Sequence, residues 1–175
     1  MGDHLFFCGI KHSGKSTLGH LFAQERGLAW ADLDELVLQQ VPYPSIRSFY
    51  HERGKDAFMQ EEVKALTTYL RNSTGRTVVS LGGGAADNQP LIDLAKANGK
   101  LLYLVVPEEV LYQRIIRGGI PPFLDGDNPR TSFSTLYAKR HERYGNICDF
   151  MIELPNYPDL HDTARFLVET LRNEV

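Results

Sequence analysis

Short apolar runs alternate along the chain with longer stretches in which apolar residues recur at helical spacing. Runs of this length, rich in β-branched residues, are typical of strands buried in a parallel sheet. The predicted strands cover residues 5–8, 28–30, 77–81, 101–106 and 150–152. Their alternation with helical segments predicts an α/β domain with a mostly parallel sheet.

The intervening helices are marked by the residues at their ends. Gly27 suits the end of a first helix, and Asn88 with Pro90 opens a helix that Gly99 closes. The predicted helices cover residues 15–26, about 45–70 with an interruption near Gly54, 88–98, a segment starting at 107, about 131–144, and 159–173. Residues 118–129 are rich in Gly, Pro and Asp and predict a mobile loop.

Composition narrows the class of protein. The 175 residues fit a single domain, and 42% hydrophobic with 23% charged residues is typical of a globular chain. No apolar run approaches the roughly 20 residues that span a bilayer, and no signal peptide is expected. A net charge of -3 disfavours nucleic acid as a partner, and two cysteines without metal-ligand spacing predict reduced thiols. We therefore expect a soluble cytoplasmic protein, without nucleic-acid or membrane partners.

The segment GIKHSGKS at 9–16 fits the pattern G-x-x-x-x-G-K-[ST] and lies between a predicted strand and a predicted helix. In such a loop the backbone N–H groups surround phosphates, lysine reaches the β- and γ-phosphates, and the Ser hydroxyl can coordinate Mg²⁺. The alternative is a chance glycine-rich turn. The motif predicts binding of a nucleoside triphosphate by Gly9, Lys11, Ser13, Gly14, Lys15, Ser16 and Thr17.

Asp32 and Asp34 follow the second predicted strand. On an extended segment, side chains two residues apart point to the same face, which predicts two carboxylates in the ligand crevice. One would neutralise triphosphate charge near the metal, and the other would orient or deprotonate an alcohol. Alternatively, one of these aspartates caps the next helix.

These motifs, in this order, resemble the shikimate kinase family of small P-loop kinases with the nucleoside-monophosphate-kinase fold. The matching segments are GIKHSGKST at 9–17, DLD at 32–34, 53–58, LGGG at 81–84, and Arg140 with Tyr144. The resemblance implies a three-layer α/β/α domain over residues 1–175, with a five-stranded parallel sheet in the order 2-3-1-4-5. It also implies a lid over the nucleotide at about 114–130.

The implied reaction is ATP-dependent phosphorylation of the 3-hydroxyl of shikimate in aromatic amino-acid biosynthesis, by a monomer using Mg²⁺. By resemblance, Lys15 holds the phosphates, Ser16 and Asp32 serve Mg²⁺, and Asp34 binds substrate hydroxyls as base or orienter. The remaining implied contacts are Gly82, Gly83 and Arg140 to shikimate, and Arg114 and Pro155 to adenine.

Two positions depart from the family pattern. Met59 stands where the family has an arginine that binds the shikimate carboxylate, and Pro121 stands where a catalytic arginine is expected in the lid. Arg117 and Arg130 are candidate replacement cations on the lid. On the substrate side the candidates are Arg47, Arg53 and Lys55.

These departures leave other functions open. One alternative is a P-loop kinase for another small polyol or hydroxy acid. Another is a nucleotide-binding relative without catalytic activity, although an intact Asp34 argues against it because a pure binder needs no base.

Overall fold

The computed structural model describes residues 3–121 and 124–173. Its strands are β1 His4–Cys8, β2 Ala29–Asp32, β3 Thr77–Ser80, β4 Gly99–Val105 and β5 Phe150–Glu153. Its helices are α1 Lys15–Arg26, α2 Leu33–Leu38, α3 Ile46–Asn72, α4 Gln89–Asn98, α5 Glu108–Ile116, α6 Pro129–Ile147 and α7 Leu160–Thr170, with a 3₁₀ turn at Ala85–Asp87.

All five strands pair in parallel in the order β2-β3-β1-β4-β5. In the central strand β1, Phe6 pairs in register with Val79 of β3 and with Leu101 of β4. The expected fold is therefore confirmed. Because all strands run the same way, their carboxyl ends meet at one edge, where open α/β sheets bind ligands.

Side chains of β1 alternate between the two faces of the sheet, as the period of a strand requires. Leu5 and Phe7 pack with Leu18 and Phe22 of α1 and with Leu167 of α7. Phe6 and Cys8 belong to a larger apolar cluster formed with helices α2 to α6. The sheet is thus covered on both sides, which gives the three layers.

Several predicted elements need adjustment. Strand β2 extends to Asp32, and α6 runs from Pro129 to Ile147, longer than predicted. The short helix α2 begins immediately after β2, so the segment through Asp34 is not extended. The predicted interruption of the long helix is present at Gly54, where φ of 81° and ψ of 176° are not helical. Across the described residues, no helix combines the length and apolar composition needed to cross a membrane.

Candidate active site

A cavity of about 670 Å³ opens at the carboxyl edge of the sheet. Five segments form its walls: the loop before α1, the β2–α2 junction, the kinked part of α3, the glycines after β3, and α6. The predicted site residues that line it are Lys11, Gly14, Lys15, Ser16, Thr17, Asp32, Asp34, Gly82, Gly83 and Arg140. Distant parts of the sequence therefore contribute to one site.

The loop of residues 9–14 leads directly into α1. Gly14 adopts φ of 89°, a left-handed conformation that glycine adopts without steric cost, and no side chain caps the helix there. The first N–H groups of α1 therefore remain available to an anion, at the positive end of the helix dipole. Lys15 Nζ donates to the carbonyl of Ile10 at 3.2 Å. Burial lowers the pKa of Lys15 to about 8, and phosphate oxygens would favour its charged form.

A second, smaller pocket of about 30 Å³ lies beside this loop. Ser13, Arg114 and Pro155 all line it, so the two residues assigned to adenine by resemblance lie together. Arg114 donates to the carbonyl of His12 at 3.2 Å, which ties α5 to the loop. The Ser13 hydroxyl is buried without a hydrogen-bond partner among the described residues. Gly9 does not line either pocket; a Cβ there would lie 2.9 Å from the Ser13 hydroxyl oxygen.

Asp32 caps α2, which is one of the two roles considered from the sequence, and it also contacts Ser16. One carboxylate oxygen accepts from the backbone N–H groups of Asp34 at 2.9 Å and Glu35 at 3.4 Å, which caps α2. The other accepts a hydrogen bond from the Ser16 hydroxyl. These two side chains therefore place hydroxyl and carboxylate oxygens together beside Lys15.

Asp34 lines the cavity, but it lies on a helix and not on the extended segment that was predicted. The prediction of two carboxylates on one extended segment is wrong, because Asp32 ends β2 and Asp34 lies in the first turn of α2. Its Oδ1 is buried without a hydrogen-bond partner among the described residues. Burial, followed by the charge of Asp32, raises the pKa of Asp34, while Lys15 opposes the shift. A buried, unpaired acceptor facing a cavity is suited to a ligand hydroxyl.

The glycines after β3 lie against the phosphate-binding loop and close to Arg140 of α6. A Cβ on Gly83 would lie 3.1 Å from the backbone nitrogen of Lys11, so a side chain there would push the two loops apart by a few tenths of an ångström. The Tyr144 hydroxyl donates to the carbonyl of Gly83 at 3.1 Å. A guanidinium nitrogen of Arg140 would lie 3.8 Å from a Cβ on Gly84. Helix α6 thereby holds Arg140 at the edge of these glycines.

The wall formed by α3 contains residues that the motifs did not reveal. Met59 lines the cavity, and Glu62, one turn later, lines it with only 2% of its surface exposed. Lys55 also lines the cavity and forms an ion pair with Asp87 at 3.5 Å. Helical spacing places Glu62 on the same face of α3 as Met59, but its burial and its hydrogen bond from Asn88 depend on long-range packing that the sequence does not show.

The candidate cations of the lid do not line the cavity. Arg130 forms ion pairs with Glu108 and Glu109, and its guanidinium carbon lies 4.9 Å from the centre of the Tyr112 ring. Arg117 ends α5 and is also absent from the lining. The predicted lid includes residues 122 and 123, which lie outside the described residues. A catalytic role for either arginine stays a prediction.

A parallel sheet in this order, with a phosphate-binding loop between β1 and α1, defines a P-loop kinase. The sequence model of the shikimate kinase family matches residues 11–170. A shikimate kinase of Chlorobium chlorochromatii is 33% identical over 157 residues, which cover 85% of this chain and 80% of that protein. One of Chlorobium limicola is 33% identical over 150 residues, covering 80% of this chain and 73% of that protein.

A solved structure described as shikimate kinase from Acinetobacter baumannii in complex with shikimate has a TM-score of 0.82 and 25% identity. The match covers 100% of this chain and 96% of that chain. The chain belongs to the shikimate kinase family, whose members are phosphotransferases that act on an alcohol group with ATP as co-substrate.

Proposed function

We propose that this chain transfers the γ-phosphate of ATP to the 3-hydroxyl of shikimate. The observation that carries the proposal is the position of Asp34, whose unpartnered Oδ1 lies in the same cavity as Lys15 and Arg140. A kinase for a hydroxy acid needs a group to orient the alcohol, cations for the phosphates, and a cation for the acceptor's carboxylate. All three kinds of group line this cavity.

On the nucleotide side, the loop amides and Lys15 bind the phosphates, and Arg114 and Pro155, which line the small pocket, contact the adenine. Ser16 and Asp32 fit a magnesium ion because both supply oxygen atoms, the donors that Mg²⁺ prefers. Among the described residues, no three His, Cys, Asp or Glu side chains could hold a metal together, so further ligands would come from phosphates and water. Bound Mg²⁺ would neutralise charge on the β- and γ-phosphates.

On the acceptor side, Asp34 orients the reacting hydroxyl and takes up its proton, while the amides of Gly82 and Gly83 approach the substrate. Arg140 approaches the turn of residues 84–87 at Gly84, and Lys55 contacts the same turn at Asp87. We assign the acceptor's carboxylate to this pair of cations. Lys55 would then supply the second positive charge for this carboxylate, because the side chain of Met59 is uncharged.

The direct test is ADP release from Mg-ATP, measured with and without shikimate by a coupled assay. Shikimate-dependent turnover, with shikimate 3-phosphate identified by mass spectrometry, is the expected result. A panel of other polyols and hydroxy acids serves as the control. Turnover of one of these without turnover of shikimate would contradict the proposal and favour a kinase for another hydroxy acid. ATP binding without any turnover would favour a silent relative.

We also propose that residues 1–175 act as one domain, as a monomer in the cytoplasm. The single sheet, covered on both faces by helices from the whole chain, supports the one-domain arrangement. Light scattering coupled to size-exclusion chromatography tests the monomer: a mass near 19.8 kDa is expected, and a multiple of it would contradict the proposal.

A further inference from the structure

Glu62 is a buried carboxyl group in the wall of the acceptor cavity. It lies on α3, one helical turn after Met59, and only 2% of the surface of Glu62 is exposed to solvent. Moving an ionised carboxylate out of water is costly unless a cation or several hydrogen bonds compensate for the lost hydration. The groups around Glu62 therefore determine which protonation state it holds.

The contacts of Glu62 provide little such compensation. Asn88 Nδ2 donates to Glu62 Oε2 at 2.9 Å, and the same nitrogen donates to the carbonyl of Met59 at 2.9 Å. Asn88 is itself fixed, because its Oδ1 accepts from the N–H of Leu91 at the start of α4. In the ranges 3–121 and 124–173, Glu62 forms no ion pair. One neutral amide thus holds this carboxyl in place.

The carboxylate that faces Glu62 makes its ionisation still less favourable. Glu62 Oε1 and Asp34 Oδ1 each lie 3.3 Å from the position that a Cβ on Gly82 would occupy. Burial first, and then the charge of Asp34, raise the pKa of Glu62 to about 7, while the Asn88 hydrogen bond opposes them. The other charged or titratable side chains that line the cavity are Lys11, His12, Lys15, Asp32, Tyr50, Lys55, Asp87 and Arg140.

We propose that Glu62 is an acceptor-positioning residue that carries a proton when an anionic acceptor occupies the cavity, so that acceptor binding is coupled to proton uptake from solvent. This inference rests on the proposed function in one respect, the carboxylate of the acceptor. Protonation removes one of the two negative charges beside Gly82 and leaves an O–H group that donates to an acceptor oxygen. The proton compensates for the arginine that Met59 replaces.

The first test is the KM for shikimate between pH 6 and pH 8 at saturating Mg-ATP. If only the protonated form binds the acceptor, KM rises about tenfold over this range, since the group titrates near its middle. Glu62→Gln, which is neutral at every pH, should remove this slope. Glu61→Gln is the matched control, because it removes the neighbouring carboxylate, which pairs with Lys64, and should keep the slope.

A second variant tests the same idea by adding a charge. Met59→Arg places a guanidinium three residues before Glu62 on the same helix, within reach of its carboxylate. Glu62 should then ionise at ordinary pH, and the KM for shikimate should fall and lose its pH slope. Met59→Leu controls for the change of shape and should keep the slope. Equal slopes in wild type and Glu62→Gln would overturn the inference.

A third measurement does not depend on turnover. The carboxyl ¹³C resonance of Glu62, assigned with the Glu62→Gln variant, should titrate near pH 7 in the free protein and below pH 5 in Met59→Arg. A midpoint below pH 5 in the wild type would overturn the inference even if shikimate is the substrate. A midpoint near 7 without shikimate turnover would instead defeat the proposed function, and with it the acceptor part of the inference.

Discussion

The nucleotide side and the acceptor side of the cavity are built in different ways. The phosphate-binding part of the nucleotide side uses one continuous segment, residues 9–17, together with Asp32, which contacts Ser16 directly. The acceptor side uses side chains from α2, α3 and α6 around the glycines after β3. The first side is therefore determined mainly by local sequence, and the second by how distant elements pack.

This difference matches where the chain departs from its family. Every residue expected at the phosphate-binding loop is present, whereas Met59 and Pro121 replace arginines expected near the acceptor and in the lid. A loop that binds phosphates through backbone amides depends on its conformation and tolerates little change. A charged wall can redistribute its cations and protons among several positions, as we propose for Lys55 and Glu62.

The largest effect is expected on the nucleotide side. Lys15→Met removes the cation beside the phosphates while keeping a side chain of similar length. We expect kcat to fall by about 10³-fold and ATP to bind more weakly, since the lost charge stabilises the phosphoryl group in the transition state. Coupled ADP release and calorimetry with ATP measure the two quantities. A decrease of less than tenfold in kcat would contradict the assigned role.

Asp34→Asn should lower kcat without weakening ATP binding, and so it distinguishes the acceptor side from the nucleotide side. It keeps the size of the side chain but removes the proton acceptor, so kcat should fall by about 10²-fold. The Kd of ATP should change little, because the metal-binding candidates Ser16 and Asp32 are untouched. Calorimetry with Mg-ATP provides the control within the same variant. Near-normal turnover would show that Asp34 has no catalytic role.

The uneven success of the sequence prediction has the same physical origin. Lys15 and Gly14 were predictable because their geometry depends on neighbours in the chain. Asp34 was assigned to the cavity on the wrong premise of an extended segment, because α2 begins at Leu33, directly after the strand. A helix capped by one of the two aspartates was the alternative, and the structure shows that cap at Asp32. Glu62 could not be assigned, since its burial depends on Asn88, which is 26 residues away in the chain.

A smaller effect is expected from Lys55, and it tests whether the acceptor side has redistributed its cations. Lys55→Ala should raise the KM for shikimate by about tenfold with little change in the Kd of ATP, the usual cost of one charge-assisted contact. Arg140→Ala should raise the same KM by at least as much. The control is Lys64→Ala on the same helix, whose partner Glu61 lies outside the cavity lining. A normal KM in Lys55→Ala would indicate that Arg47 or Arg53, and not Lys55, supplies the second cation for the acceptor's carboxylate.

The smallest effect is expected from Arg130, at the base of the predicted lid. Its guanidinium is held by Glu108 and Glu109 and lies against Tyr112, so it is already engaged away from the cavity. Partly exposed ion pairs of this kind contribute little, and Arg130→Ala should lower kcat by less than about threefold. Steady-state kinetics at saturating ATP and shikimate, with Arg117→Ala in parallel, make the comparison. A tenfold loss in Arg130→Ala would mean that this arginine leaves Glu108 during turnover and supplies the cation missing at Pro121. A tenfold loss in Arg117→Ala alone would assign that cation to the end of α5.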